Sequence, residues 1–245
     1  MELNRPENRN VHKTRFTFPE ININPEGAIL AFDKPYRCTS FDIVAKLKNY
    51  IKREMKLKMK VGHAGTLDPL ATGLMIVCVG SYTKKIDSLM GLEKEYTGTF
   101  QLGATTSSFD LEKEINETFP YDHITEEMIY KTAETFLGDI EQIPPHFSAV
   151  KINGKRAYEL ARDGQEAEIK PKQINISEFE ITRIALPDVD FRIVCSKGTY
   201  IRSIARDFGE ALSSGAHLTA LRRTRIGNLK VEDAIQVILT VENES

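Results

Sequence analysis

The stretch that most restricts how this chain can fold runs from Gly62 to Gly73. It is a polar loop punctuated by Gly62, Gly65, Pro69 and Gly73, and it feeds directly into the apolar run Leu74-Met75-Ile76-Val77-Cys78-Val79. Six consecutive apolar residues, half of them β-branched, predict a buried strand. The loop before it presents one carboxylate, Asp68. Loops braced by a rigid scaffold commonly carry catalytic groups. An aspartate before a proline is equally suited to bonding its own backbone in a turn. The residues alone leave both readings open.

The flanking segments supply the scaffold. Ala28 to Phe32, closed by Asp33-Lys34-Pro35, reads as a strand running into a turn. Ser40 is placed to cap a helix in which Phe41, Val44, Ala45, Leu47 and Ile51 recur at helical spacing, with lysines opposite. Glu95 to Gly103 alternates as a strand. Thr125 to Leu137 carries a helical stripe of Met128, Ile129, Ala133, Phe136 and Leu137. Asn153-Gly154 signals a hairpin. Phe191 to Cys195 reads as a strand that turns at Lys197-Gly198 into a helix from Tyr200 to Leu212. Strands and helices mix without a regular βαβ repeat, which favours an α+β fold. One domain over residues 26–245 is expected, preceded by an Asn-rich arm, residues 1–25, that is flexible or loosely docked.

With 245 residues the chain can bury a real core. Nothing approaches the roughly 18 consecutive apolar residues of a membrane span, and no apolar secretory signal opens the chain. Cys38, Cys78 and Cys195 stand far apart, without the spacing of a zinc or redox motif, as suits reduced thiols in a cytoplasmic protein. The net charge of -2 conceals a partition. Lys34 to Lys60 holds nine Lys/Arg against two acids, and Arg192 to Arg225 holds seven against two. Glu112 to Glu141 holds nine acids against two lysines. If the two basic stretches meet, they form a surface of the kind that binds phosphates.

Gly62-His63-Ala64-Gly65-Thr66-Leu67-Asp68-Pro69-Leu70-Ala71-Thr72-Gly73 resembles the signature of the bacterial tRNA pseudouridine-55 synthases of the TruB type. Their relatives in archaeal and eukaryotic guide-RNA particles share it. The similarity continues in order through Phe32-Asp33-Lys34-Pro35, Lys94-Glu95-Tyr96, Leu102-Gly103 and Gln142-Ile143-Pro144-Pro145. It then takes in Phe147 to Lys155, Ala157-Tyr158, Ser196-Lys197-Gly198-Thr199-Tyr200-Ile201-Arg202, His217-Leu218 and Leu221-Arg222-Arg223-Thr224, covering roughly residues 27–230. The resemblance implies the pseudouridine synthase fold, a mixed and largely antiparallel central sheet flanked by helices. It also implies an isomerisation that breaks the N1–C1′ bond of a T-loop uridine, turns the uracil and rejoins it through C5.

Such a reaction needs no cofactor and no metal, and the resemblance implies a monomer that binds the tRNA T-arm without an obligate protein partner. By the resemblance, Asp68 is the catalytic nucleophile, acting at C6 of uracil or at the sugar. Arg202 is the arginine that pairs with it. Tyr200 packs under the base and is a candidate to remove the C5 proton. Tyr96 stacks on the uracil, His63 enters the T-loop and supports the flipped-out base, and Leu221 lines the uracil pocket. Lys34 and Arg223 would contact phosphates or edge the site.

Two features depart from the family pattern. The expected Thr-x-Thr-x-Asp-x-x-Gly run appears as Thr106, Ser108 and Asp110 followed by Lys113, which puts the shape of that turn in doubt. Many bacterial members also carry a C-terminal PUA-type RNA-binding domain, and a short form without it is expected here.

Overall fold

All six residues of the run Leu74 to Val79 are at 0% exposure, in the middle of one strand. Met75, Val77 and Val79 enter the main core, whereas Leu74, Ile76 and Cys78 enter a second, smaller cluster on the opposite face. A strand covered on both faces reads as a continuous apolar run and does not alternate. The computed structural model describes residues 15–148, 151–152, 155–156 and 169–240.

In chain order the elements are β1 (Arg15–Thr17), β2 (Gly27–Lys34), α1 (Ser40–Arg53), β3 (Val61–His63), β4 (Thr72–Gly80), α2 (Ile86–Gly91), β5 (Lys94–Leu102), β6 (Ala104–Thr106) and β7 (Ile115–Thr118). Then follow α3 (Glu126–Glu134), β8 (Gly138–Gln142), β9 (Lys151–Ile152), β10 (Lys155–Arg156), β11 (Lys172–Ala185), β12 (Asp188–Cys195), α4 (Ile201–Ala211), β13 (Ala216–Ile226), β14 (Leu229–Lys230), β15 (Ile235–Gln236) and β16 (Ile238–Thr240). A ten-stranded sheet runs β15-β2-β4-β13-β5-β12-β11-β8, with β3 attached to β4 and β14 to β13. Pairing is antiparallel except between β15 and β2 and between β13 and β4. The fold is therefore α+β, built on a mixed, largely antiparallel sheet flanked by helices.

The parallel contact of β4 with β13 spans only Arg222↔Thr72 and Arg223↔Gly73. Upstream of it the Asp68 loop lies over Leu218 to Leu221 of β13. Around it, α1 buries Ile43, Leu47 and Ile51, while Ile129 of α3 and Ile204 and Phe208 of α4 join the phenylalanines of the sheet. Phe100 stacks on Phe191 with centroids 4.1 Å apart and meets Phe208 at 5.4 Å.

Several local expectations are corrected. The cap of α1 is Thr39, whose hydroxyl accepts from the Asp42 N–H while the Asp42 carboxylate accepts from the Thr39 N–H, a reciprocal box. Ser40 is thereby free for another task. Phe41 is 72% exposed and Ile43 takes the inward position, because a helix beginning at Ser40 turns residue 41 outward. Leu137 is exposed, lying beyond the end of α3. The helix expected from Tyr200 to Leu212 is α4, with those two residues as its caps. From Arg15 the N-terminal segment is tied down: β1 pairs with β16, and Ile21 and Ile23 are buried. The Asn153-Gly154 turn lies outside the described residues, but β9 and β10 on either side of it pair antiparallel. No helix among the described residues is long and apolar enough to cross a membrane.

Candidate active site

The loop from Ala64 to Ala71 is irregular backbone held in place by three side chains from three other elements. Ser40, at the start of α1, donates its hydroxyl to the Leu67 carbonyl and accepts from the Leu67 N–H at 2.9 Å. Lys34, the last residue of β2, donates to the carbonyls of Cys38 at 2.6 Å and Pro69 at 3.4 Å. Arg223 of β13 donates to Leu74, Thr66 and Gly65. Gly73, at φ +104, permits the close approach of β13: a Cβ there would stand 2.3 Å from the Arg223 carbonyl oxygen. Pinned on both sides, the loop turns at Asp68, whose carbonyl accepts from the Ala71 N–H.

Asp68 points its carboxylate at α4. Arg202 Nε donates to Asp68 Oδ2 at 2.8 Å. The arginine side chain is 5% exposed and the aspartate side chain 35%. Among the described residues Asp68 Oδ1 receives no protein hydrogen bond, so one oxygen is anchored and the other is open. The guanidinium is itself fixed, with Nη1 donating to the Ser108 carbonyl and Nη2 to that of Phe147. A second carboxylate, Asp110, lies 3.6 Å from Arg202 Nε and is also buried. Charge-assisted bonds of this kind are short and directional, and they aim a carboxylate. Asp68, Leu70, Asp110, Leu111, Arg202 and Leu221 line a narrow cleft.

Tyr200 caps the N-terminal end of α4, and burial raises its phenol pKa. Tyr96 of β5 is 9% exposed, and its cross-strand partner is Arg223. Burial raises its phenol pKa too, while the Arg223 guanidinium opposes the shift. His63 ends β3, half-buried, with a lowered imidazole pKa caused first by desolvation. Its Nδ1 is buried without a partner among the described residues. The neutral form is therefore favoured.

Lys34 and Arg223 need correction as phosphate contacts. They are 0% and 1% exposed, and they hold loop carbonyls. Burial lowers the Lys34 pKa to about 8. The substituted turn is also settled. Thr106 and Ser108 hydroxyls both donate to the Asp110 carbonyl, and Phe109 at φ 63 closes the turn, all before Lys113 is reached. Lys113 instead places its ammonium 5.5 Å from the Phe147 ring. Sequence reasoning missed Asp110 and Ser40 as members of the site. The retained Thr106, Ser108 and Asp110 spacing was the available signal for the first. Among the described residues no cluster of three or more His, Cys, Asp or Glu could hold a metal.

Comparison with known proteins agrees with this geometry. The family model described as TruB family pseudouridylate synthase, N-terminal domain, matches residues 52–201, and that described as tRNA pseudouridylate synthase B C-terminal domain matches residues 202–240. The boundary between the two falls inside α4, between Ile201 and the arginine that holds Asp68. Curated relatives called tRNA pseudouridine synthase B include one from Flavobacterium johnsoniae, 57% identical over 89% of this chain and 96% of its own. Another, from Bacteroides fragilis, is 57% identical over 86% of this chain and 91% of its own. Among solved structures, that of a Cbf5-Nop10-Gar1 complex superposes with a TM-score of 0.64 at 28% identity, covering 91% of this chain and 61% of that one. This chain thus spans less than two thirds of that structural relative. The signature loop, the paired Asp68 and Arg202, and the family models over most of its length agree: the chain belongs to the TruB family of pseudouridylate synthases and is an RNA-modifying isomerase.

Proposed function

We propose that the chain converts uridine 55 in the T-loop of tRNA to pseudouridine, with Asp68 as the nucleophile. The observation that carries this reading is the half-open Asp68 carboxylate, fixed through one oxygen by a buried Arg202 at 2.8 Å. The curated relatives called tRNA pseudouridine synthase B supply the RNA class. The free oxygen of Asp68 forms a bond to C6 or to C1′ as the N1–C1′ bond breaks. That bond to Asp68 breaks again, returning the carboxylate, when C5 has joined C1′. The uracil turns and C5 bonds to C1′. C5 then loses a proton while N1 gains one, so atoms and electrons balance within one substrate. A carboxylate serves this scheme by attack at C6 or at the sugar.

A paired uracil cannot reach Asp68, so the nucleotide must leave its stack. In this reading Tyr96 stacks on the uracil, Leu221, which lines the cleft at Asp68, contacts it, His63 supports the flipped-out base, and Tyr200 takes the C5 proton. The isomerisation needs no cofactor. The reading takes the chain as a cytoplasmic monomer that meets its RNA without an obligate protein partner. Site-resolved mapping of pseudouridine in tRNA incubated with the purified protein tests it. Modification is expected at position 55. Modification only at other uridines would overturn the assignment of the T-loop.

A further inference from the structure

Tyr200 is held twice from a single rung of the sheet. Gln142 and Lys172 are cross-strand partners where β8 pairs with β11. Gln142, 1% exposed, engages both backbone groups of Tyr200. The Tyr200 N–H donates to its Oε1 at 2.8 Å, and its Nε2 donates to the Tyr200 carbonyl at 3.1 Å. The Lys172 ammonium lies 4.5 Å from the centroid of the Tyr200 ring.

The turn that delivers Tyr200 is shaped around the same ammonium. Gly198 sits at φ +80, and a Cβ there would stand 3.0 Å from Lys172 Nζ. As the residue that opens α4, Tyr200 makes no side-chain cap, so its ring is not engaged by its own helix. Burial lowers the Lys172 pKa, which marks a partly desolvated cation, the setting in which attraction to an aromatic face is strongest.

We propose that Gln142 and Lys172 are positioning residues for Tyr200. Gln142 fixes its backbone, and the Lys172 ammonium fixes its ring and favours its phenolate. This rests on the reading of Tyr200 as the group that takes the C5 proton. In that step the C5–H bond breaks, its electron pair restores the uracil double bond, and the phenolate oxygen becomes a phenol. A cation over the ring enlarges the fraction of Tyr200 poised as phenolate, against the burial that favours the phenol. Its removal therefore acts on the proton-transfer step more than on binding.

The test uses the full chain and a T-arm stem-loop carrying C5-deuterated uridine at the target position. Lys172→Met should lower kcat about tenfold at unchanged KM, within the range of a desolvated cation–π contact. It should also enlarge the deuterium isotope effect. Lys172→Arg should restore both, because a guanidinium keeps the charge over the ring. The phenol titration of Tyr200, read as the absorbance difference between each protein and its Tyr200→Phe counterpart, should move to higher pH in Lys172→Met alone. An unmoved titration overturns the ring grip whatever the rates do. If the titration moves but Tyr200→Phe turns over normally without an isotope effect, the proton-transfer reading of Tyr200 fails and the contact is structural. Gln142→Met should lower kcat with KM unchanged, and a wild-type kcat removes Gln142 from the proposal.

Discussion

Arg202 stands between two carboxylates, Asp68 at 2.8 Å and Asp110 at 3.6 Å, with its outer nitrogens committed to the Ser108 and Phe147 carbonyls. A planar fork can satisfy these directions at once, whereas an ammonium cannot. Arg202→Lys should therefore lower kcat about a hundredfold, the effect of a small misplacement at a reacting centre, with KM little changed. Single-turnover rates on a T-arm RNA check this, and a near-normal kcat would show that Arg202 does not aim Asp68. Lys34 makes a separate prediction. Burial holds its folded-state pKa at about 8, against the ordinary lysine value of 10.5. Between those values the unfolded chain keeps a proton that the folded chain has lost, so this group makes stability rise with pH across that window. Urea unfolding of wild type and Lys34→Met at both ends should show wild type gaining on the variant as pH rises. A constant difference would mean that Lys34 titrates normally in the fold.

At the scale of elements, adjacent residues at the start of α1 do different work. Thr39 closes the capping box, and Ser40 holds both backbone groups of Leu67, next to Asp68. Thr39→Ala should lower stability by about 1 kcal/mol and leave kcat nearly intact. Ser40→Ala should lower kcat by more than its loss of stability explains, because it frees the loop that carries Asp68. Equal ratios of kcat to unfolding free energy in the two variants would contradict this division. The pair also shows where sequence reading ends. Ser and Thr are both good caps, and spacing cannot tell which one the backbone selects. The phase of the stripe then shifted by the same step, leaving Phe41 outside and Ile43 inside. β4 was legible because burial on both faces leaves an unbroken apolar run, and Asp68 and Arg202 because the signature motifs carry them. Asp110 was signalled only by its retained spacing from Thr106 and Ser108, which marks a turn and does not show that the carboxylate faces Arg202 across the fold. Lys34 and Arg223 look like surface cations in a basic stretch, and only tertiary structure puts them inside.

Charge shows the same limit for the whole molecule. Of the seven cations between Arg192 and Arg225, five are spent on acids of the chain. Arg192 binds Glu95, Glu178 and Glu180, while Arg202, Arg206, Arg222 and Arg225 pair with Asp68, Asp207, Asp33 and Glu93. A denser run of exposed cations lies on α1 and the segment after it, where Lys48, Lys52, Arg53, Lys56, Lys58 and Lys60 face solvent. With 14 residues, α1 extends about 21 Å from the Asp68 loop, far enough to reach the phosphates of an adjoining stem. Lys48→Gln and Lys52→Gln should each reduce the slope of log K against log salt by about one for T-arm RNA, with kcat unchanged. Arg192→Gln should leave that slope alone, because its charge is already matched. A slope that responds to Arg192 and not to Lys48 or Lys52 would place the phosphate path on the other side. The central claim concerns one carboxylate and is tested most directly by Asp68→Asn. In tritium release from C5-labelled uridine in a T-arm RNA, this near-isosteric variant should bind the RNA normally and release no tritium above background, whereas appreciable release would show that another group performs the chemistry.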